Sequence, residues 1–176
     1  MKIDNEIEYL NNLIKDIPDF PKKGIIFKDI SFLIADNKAT KITVDKIYNK
    51  IKDRDIDIVL GLDARGFLLG VLLAQKLGVG FAMARKKGKA PYHYTYQKYE
   101  LEYGNDTVGI SPLIIKDKMK VHIHDDLLAT GGSIKNVISL IKKMGGYVDS
   151  TSFIIELTKL KGREKIKTKV FSILKY

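Results

Sequence analysis

The stretch Val121-His-Ile-His-Asp125-Asp126-Leu-Leu-Ala-Thr130-Gly131-Gly132-Ser133 decides how this chain is read. Lys120 to His124 has the short apolar and β-branched character of a strand. Two carboxylates, Asp125 and Asp126, stand where that strand is expected to end. The turn Thr130-Gly131-Gly132-Ser133 then opens a helix predicted over 133–144. Glycines let a backbone wrap closely around a phosphate, and a helix N-terminus adds unpaired N–H groups and the positive end of a dipole. Thr130 and Ser133 add hydroxyl donors, and the two acids can accept hydrogen bonds from vicinal sugar hydroxyls. One segment thus offers places for both ends of a ribose 5-phosphate. An Asp-containing turn with Ser133 as a helix N-cap accounts for part of the string but not for all of it.

Outward from this segment the pattern repeats. Ile56 to Leu60 reads as a buried strand, Phe67 to Leu77 as a helix closed by Gly78, and Val79 to Ala84 as a strand. Thr107 to Ile115, Tyr147 to Leu157 and Val170 to Leu174 supply further strands. Near the start, Ile3, Ile7, Leu10 and Ile14 share one helix face. Pro18 and Pro21 are expected to end that helix and form a stiff extended connector. Ile25 to Ile30 has the composition of an edge strand. A second helix is predicted over 39–52, with Val44, Ile47 and Ile51 on one side. Alternating strands and helices predict an α/β fold: a single domain, residues 1–176, with a central mostly parallel sheet flanked by helices. In such sheets ligands bind beyond the carboxyl ends of the strands.

Composition narrows the function. The 176 residues hold 31 Lys+Arg against 21 Asp+Glu, a net +10, and no cysteine. Disulfides, thiolate catalysis and Cys-based zinc sites are excluded. The N-terminus has no continuous apolar run of the signal-peptide type, and the longest apolar stretch, Phe67 to Ala74, is too short to span a bilayer. A cytoplasmic protein without a membrane partner is expected. Only Arg54, Arg65, Arg85 and Arg163 are arginine. Lysine scattered along the whole chain suits a solvated surface better than a nucleic-acid face, where bidentate arginine contacts dominate.

Two further clusters carry chemistry. Leu62-Asp63-Ala64-Arg65-Gly66 is a compact turn after a strand, able to aim N–H groups and a guanidinium at an anion. Arg85, Lys86, Lys87 and Lys89 are followed by Tyr92, His93, Tyr94, Tyr96 and Tyr99. This segment has no clean period and reads as a long loop or irregular hairpin. By residue type alone it is a basic lysine loop, or a platform for single-stranded nucleic acid. His122 and His124 share a strand face but have no third metal ligand nearby, so buried, hydrogen-bonded side chains are expected.

The string around Asp125 and Asp126 resembles the phosphoribosyl pyrophosphate (PRPP) motif of the type I phosphoribosyltransferase family. Ile17-Pro-Asp-Phe-Pro to Ile30, Gly61 to Phe67, Arg85 to Lys89, Tyr99 to Gly104 and Glu156 to Lys165 are similar to segments of its adenine-using members, in the same order. The resemblance implies transfer of the 5-phosphoribosyl group from PRPP to adenine, giving AMP and pyrophosphate, with Mg²⁺ as cofactor and a homodimer as the assembly. It implies an N-terminal helix and hood over 1–34 and a flexible active-site loop over 85–104. It assigns Ala129, Thr130, Gly131, Gly132 and Ser133 to the 5′-phosphate. Asp63, Ala64, Arg65 and Gly66 go to pyrophosphate, as do Arg85, Lys86 and Lys89 of the basic loop, whose contacts in some members cross a dimer interface. Main-chain groups of Ile26, Phe27 and Lys28, with Leu127 on the purine face, go to adenine. Asp125 and Asp126, with Glu102 as proton acceptor, are the catalytic residues. Mg²⁺ is held mainly by substrate and water, with no metal ligands from the protein.

The chain departs from the family at Lys89-Ala-Pro-Tyr-His93, where relatives carry Lys-Leu-Pro-Gly-Glu. It also has His122 and His124 where relatives carry apolar residues, and Lys28 where arginine is common. The alternatives are another purine base (hypoxanthine, guanine or xanthine), a non-catalytic PRPP-binding regulator, and a basic nucleic-acid module.

Overall fold

The computed structural model describes residues 2–89, 95–101 and 104–176. The chain forms two compact units, residues 1–46 and 47–176. In the first, helix α1 (Lys2–Asn12) is followed by strands β1 (Lys15–Pro18) and β2 (Ile26–Asp29), a short helix α2 (Ser31–Ala35) and the start of α3 (Asn37–Ile51). The expected connector after α1 is therefore partly a strand: β1 pairs antiparallel with β2, Asp16 opposite Lys28 and Pro18 opposite Ile26. Proline is tolerated there because it stands at the end of an edge strand, where its missing N–H breaks no ladder. Within this unit Tyr9 donates a hydrogen bond to Asp36 (2.6 Å) and Lys46 pairs with Glu6 (2.7 Å).

The second unit is built on one sheet. Its strands are β3 (Ile58–Leu62), β4 (Gly80–Lys86), β5 (Thr95–Leu101), β6 (Gly104–Ile110), β7 (Lys120–Leu128), β8 (Tyr147–Glu156) and β9 (Lys169–Lys175). The order is β5-β6-β4-β3-β7-β8-β9, parallel from β4 to β9, with β5 and β6 as an antiparallel arm. Helix α4 (Gly66–Leu77) connects β3 to β4, and α5 (Gly132–Lys143) connects β7 to β8.

Side-chain alternation divides the sheet into two faces. Ile58, Leu60, Ala82, Ala84, Val121 and Ile123 pack with Ile134, Val137, Leu140 and Ile141 of α5. Val59 packs on the other face with Leu73 and Ala74 of α4, Ile47 and Ile51 of α3, and Phe81. Between Val121 and His122 the β7–β8 register slips: Val121 faces Val148, but His122 faces Ser150, leaving Asp149 as an extra residue in β8. Among the described residues, no helix is long and apolar enough to cross a membrane.

Candidate active site

The acids are not past the end of their strand, as the residue pattern suggests. β7 runs on to Leu128, with Asp125 opposite Phe153 of β8. Its other neighbour stops sooner: β3 pairs with β7 only as far as Gly61–His124. Asp125 and Asp126 are therefore backed by β8 on one side and stand beyond β3 on the other, where the turn 62–66 crosses in front of them.

That turn brings Arg65 to the acids. Its Nε lies 2.7 Å from Asp126 Oδ2, with Asp126 buried and Arg65 part-exposed. Gly66 makes the approach possible: a Cβ there would lie 2.7 Å from the His124 carbonyl oxygen and 3.0 Å from Asp125 Oδ1. The Asp63–Ala64 peptide bond is cis. Asp63 Oδ2 accepts a hydrogen bond from the Lys86 backbone N–H at 3.3 Å, and its Oδ1 lies 3.7 Å from Lys89 Nζ. Asp63 thus ties the turn to the basic segment that begins at Lys86.

A cleft of about 430 Å³ opens at these strand ends. It brings together nine residues singled out from sequence: Asp63, Ala64, Arg65, Lys86, Lys89, Asp125, Asp126, Leu127 and Ser133. Leu62, the first residue of the turn read from sequence, also lines it, as do Ala84 and Val108, which the residue pattern does not single out. Their signal is positional, since each lies at or near the end of its strand where the sheet meets the cleft. Gly66 lies directly behind Arg65, Ala129 to Gly131 form the link from β7 to α5, and Gly132 is the first residue of that helix. Gly131 holds φ +75° at the start of α5, and the Gly132 carbonyl accepts a hydrogen bond from Asn136 Nδ2 (2.7 Å).

Arg85 does not line the cleft. Along β4 it alternates with Ala84 and Lys86, which do line it, so it belongs to the face of Phe81 and Met83. Ile26, Phe27 and Lys28 lie on β2 in the first unit, which pairs on one side only, so alternate main-chain groups point away from β1. Lys28 Nζ is bonded to Asp16 (2.7 Å), and Phe27 stacks edge-on with Phe20. Glu102 and Tyr103, with Ala90 to Tyr94, lie outside the described residues.

Electrostatics in the cleft are set by burial and crowding. Burial first, then the adjacent Asp126 charge, holds the Asp125 carboxyl well above its ordinary range. Burial also raises Asp126, while the Arg65 guanidinium pulls it back. Beneath them, on the α4 face of β7, His122 Nδ1 lies 2.8 Å from Ser150 Oγ and its Nε2 2.8 Å from Ser152 Oγ. His124 Nδ1 lies 2.9 Å from the same Ser152 Oγ. Burial lowers His122 to about 3 and His124 to about 4, so both are neutral near pH 7. They are hydrogen-bonded core residues, and among the described residues no group of three or more His, Cys, Asp or Glu could hold a metal ion.

An acidic pair facing a cationic turn, with a glycine loop opening a helix beside it, is an arrangement suited to a phosphorylated sugar. Residues 33–175 match the model of the phosphoribosyl transferase domain, and the chain belongs to that family. An adenine phosphoribosyltransferase from Clostridium botulinum is 51% identical over 158 residues, 90% of this chain and 92% of the relative. The crystal structure of adenine phosphoribosyltransferase from Rhodothermus marinus superposes with a TM-score of 0.94 at 37% identity, covering 98% of this chain and 99% of that one. The enzyme from Saccharomyces cerevisiae, solved with an imino-altritol bisphosphate and adenine, has a TM-score of 0.90 at 33% identity over 97% of this chain and 99% of its own. Within the family, the chain groups with the adenine phosphoribosyltransferases.

Proposed function

We propose that this chain transfers the 5-phosphoribosyl group of PRPP to adenine, forming AMP and pyrophosphate in purine salvage. The observation that carries the reading is the Arg65–Asp126 ion pair beside Asp125 at the mouth of the cleft. A purine nitrogen forms a bond to the ribose anomeric carbon as the bond to the pyrophosphate oxygen breaks. Positive charge builds on the sugar ring and negative charge on the leaving group. Asp125 and Asp126 accept hydrogen bonds from the ribose diol and stabilise the first charge. Arg65, Lys86 and Lys89 meet the second. Ser133 and the loop Ala129 to Gly132 hold the 5′-phosphate, Leu127 packs against the purine, and main-chain groups at Ile26 to Lys28 read its edge. Glu102 is the proposed acceptor of the purine proton.

Mg²⁺ fits this site as an ion carried in on substrate. The carboxylates offer hard oxygen atoms, and among the described residues no group of three or more His, Cys, Asp or Glu could hold a resident metal. When bound, the ion neutralises part of the PRPP charge.

A homodimer is the proposed assembly, with the cytoplasm as its location. Two observations support the dimer: α4 exposes Leu68, Val71 and Leu72, and β4 exposes Met83 two residues before Arg85. An Arg85 that turns from its own cleft is available to a partner's pyrophosphate.

The test is incubation with PRPP, Mg²⁺ and each of adenine, hypoxanthine, guanine and xanthine, measuring pyrophosphate. Release with adenine alone supports the reading. Release with another base overturns the specificity, and no release with any base overturns the activity.

A further inference from the structure

The segment Glu156 to Lys165 has no part in the chemistry above, yet it is tied to the glycine loop. Glu156 ends β8 opposite Leu128, the last residue of β7 before the loop, and Leu157 N–H donates to the Leu128 carbonyl (2.9 Å). Arg163 returns to this point. It donates from Nε to Glu156 Oε1 (2.9 Å), from Nη2 to Glu156 Oε2 (2.5 Å) and Ser172 Oγ (3.2 Å), and from Nη1 to the Val170 carbonyl (2.7 Å). Glu156 is buried, 5% exposed. A planar, two-pronged ion pair closed by two further bonds fixes the backbone next to it.

The residue next to it is Gly162, also buried. A Cβ on Gly162 would lie 2.1 Å from the Ala129 carbonyl oxygen and 2.9 Å from the Gly131 nitrogen. A Cβ on Gly131 would lie 2.5 Å from the Gly162 carbonyl oxygen. Two backbones thus touch directly, and neither position has room for a side chain. The loop assigned to the 5′-phosphate rests on a strut that the Glu156–Arg163 pair holds in place.

We infer that Gly162, Arg163 and Glu156 are positioning residues for the 5′-phosphate: they set the backbone of residues 129–133 without touching substrate. The inference rests on the proposed function of that loop. It assigns the strut to one end of the substrate only, which a general stabilising role would not do.

The test uses the full-length protein and the variants Gly162→Ala, Arg163→Lys and Glu156→Gln. Arg163→Lys keeps the charge but not the two-pronged geometry, and serves if Gly162→Ala fails to fold. Calorimetry with ribose 5-phosphate and steady-state kinetics with PRPP and adenine are the readouts, with amide hydrogen exchange of residues 129–133 measured alongside. Losing one well-placed donor to a phosphate costs roughly tenfold in affinity. A rise of that size is expected in the ribose 5-phosphate Kd and the PRPP KM, with the adenine KM unchanged and faster exchange in the loop. Unchanged PRPP KM and loop exchange in a folded variant overturn the inference, as do equal rises in both KM values. A wild-type protein that fails to bind ribose 5-phosphate overturns the reading of the loop instead. The exchange data then still decide whether Gly162 buttresses it.

Discussion

Arg65 and Asp126 meet at 2.7 Å from two different connections, the β3–α4 turn and the end of β7. The pair joins the region assigned to pyrophosphate to the region assigned to the ribose. In the proposed reaction, charge leaving one side of the reacting carbon and charge arising on the other would therefore meet groups already in contact.

Asp126→Ala removes one acceptor of that pair. Arg65 is 40% exposed and can be hydrated, so the fold should persist. Pyrophosphate release should fall by about 10²-fold or more, the usual scale for a preorganised charge-stabilising group. Near-normal release by a folded variant would remove Asp126 from the mechanism.

The pH profile should have an acid limb set by the two carboxyls. Asp125 is held above its ordinary range. As pH falls through that raised value, it gains a proton and loses an acceptor for the diol, so kcat/KM for PRPP declines. The Arg65 charge lowers both acids. Arg65→Gln should therefore move the limb to higher pH as well as reduce the rate. A limb that stays in place or moves down would sink this account.

Gly66→Ala would drive a methyl group into the His124 carbonyl oxygen and the Asp125 carboxylate. Overpacking of this kind costs about 1–3 kcal/mol. Denaturant unfolding should show that loss together with reduced activity. Gly80→Ala is the control, since its Cβ would meet only the Ile58 side chain at 3.8 Å. Equal losses in the two variants would contradict the packing argument.

His122 and His124 should make stability depend on pH. Both take up protons far more readily unfolded, near 6.5, than folded, at about 3 and about 4. Their contribution is present above about 6.5 and is lost as pH falls toward about 4, on the order of a few kcal/mol. The nearby Arg54–Asp149 pair also weakens in acid because Asp149 must be protonated, whereas the raised acids Asp125 and Asp126 act in the opposite sense. A variant with both histidines changed to Val and Ser150 and Ser152 changed to Ala isolates the ladder. Its unfolding free energy should fall less steeply between pH 6.5 and 4 than that of the parent protein, and an equal slope would refute the assignment.

Much of this was legible in residue order. The strand, glycine turn and helix from 120 to 143 declare themselves through a β-branched run, a Gly-Gly pair and an apolar helical face. The turn 62–66 announces itself through its arginine. What escaped depends on neighbours distant in sequence. The extension of β7 through the acids exists because β8 continues beside it, and no local pattern reports that. The Arg54–Asp149 pair spans 95 residues. Adjacency in sequence groups Arg85 with Lys86, although alternation along a strand separates them. Of the four arginines, Arg54, Arg65 and Arg163 are engaged by carboxylates. The excess of basic charge is therefore carried mainly by lysine.

The extra residue in β8 has a consequence for how this chain tolerates change. Because Asp149 stands outside the regular pairing, Ser150 and Ser152 fall on the histidine face and Asp149 meets Arg54. Deleting that one residue would let Ser150 follow Val148 directly, so the pairing would become unbroken while Ser150, Ser152 and Phe153 kept their partners and their faces. What would be lost is the carboxylate that meets Arg54. The bulge is thus a spare position: β8 can give up one residue there without inverting the two sides of the protein's interior.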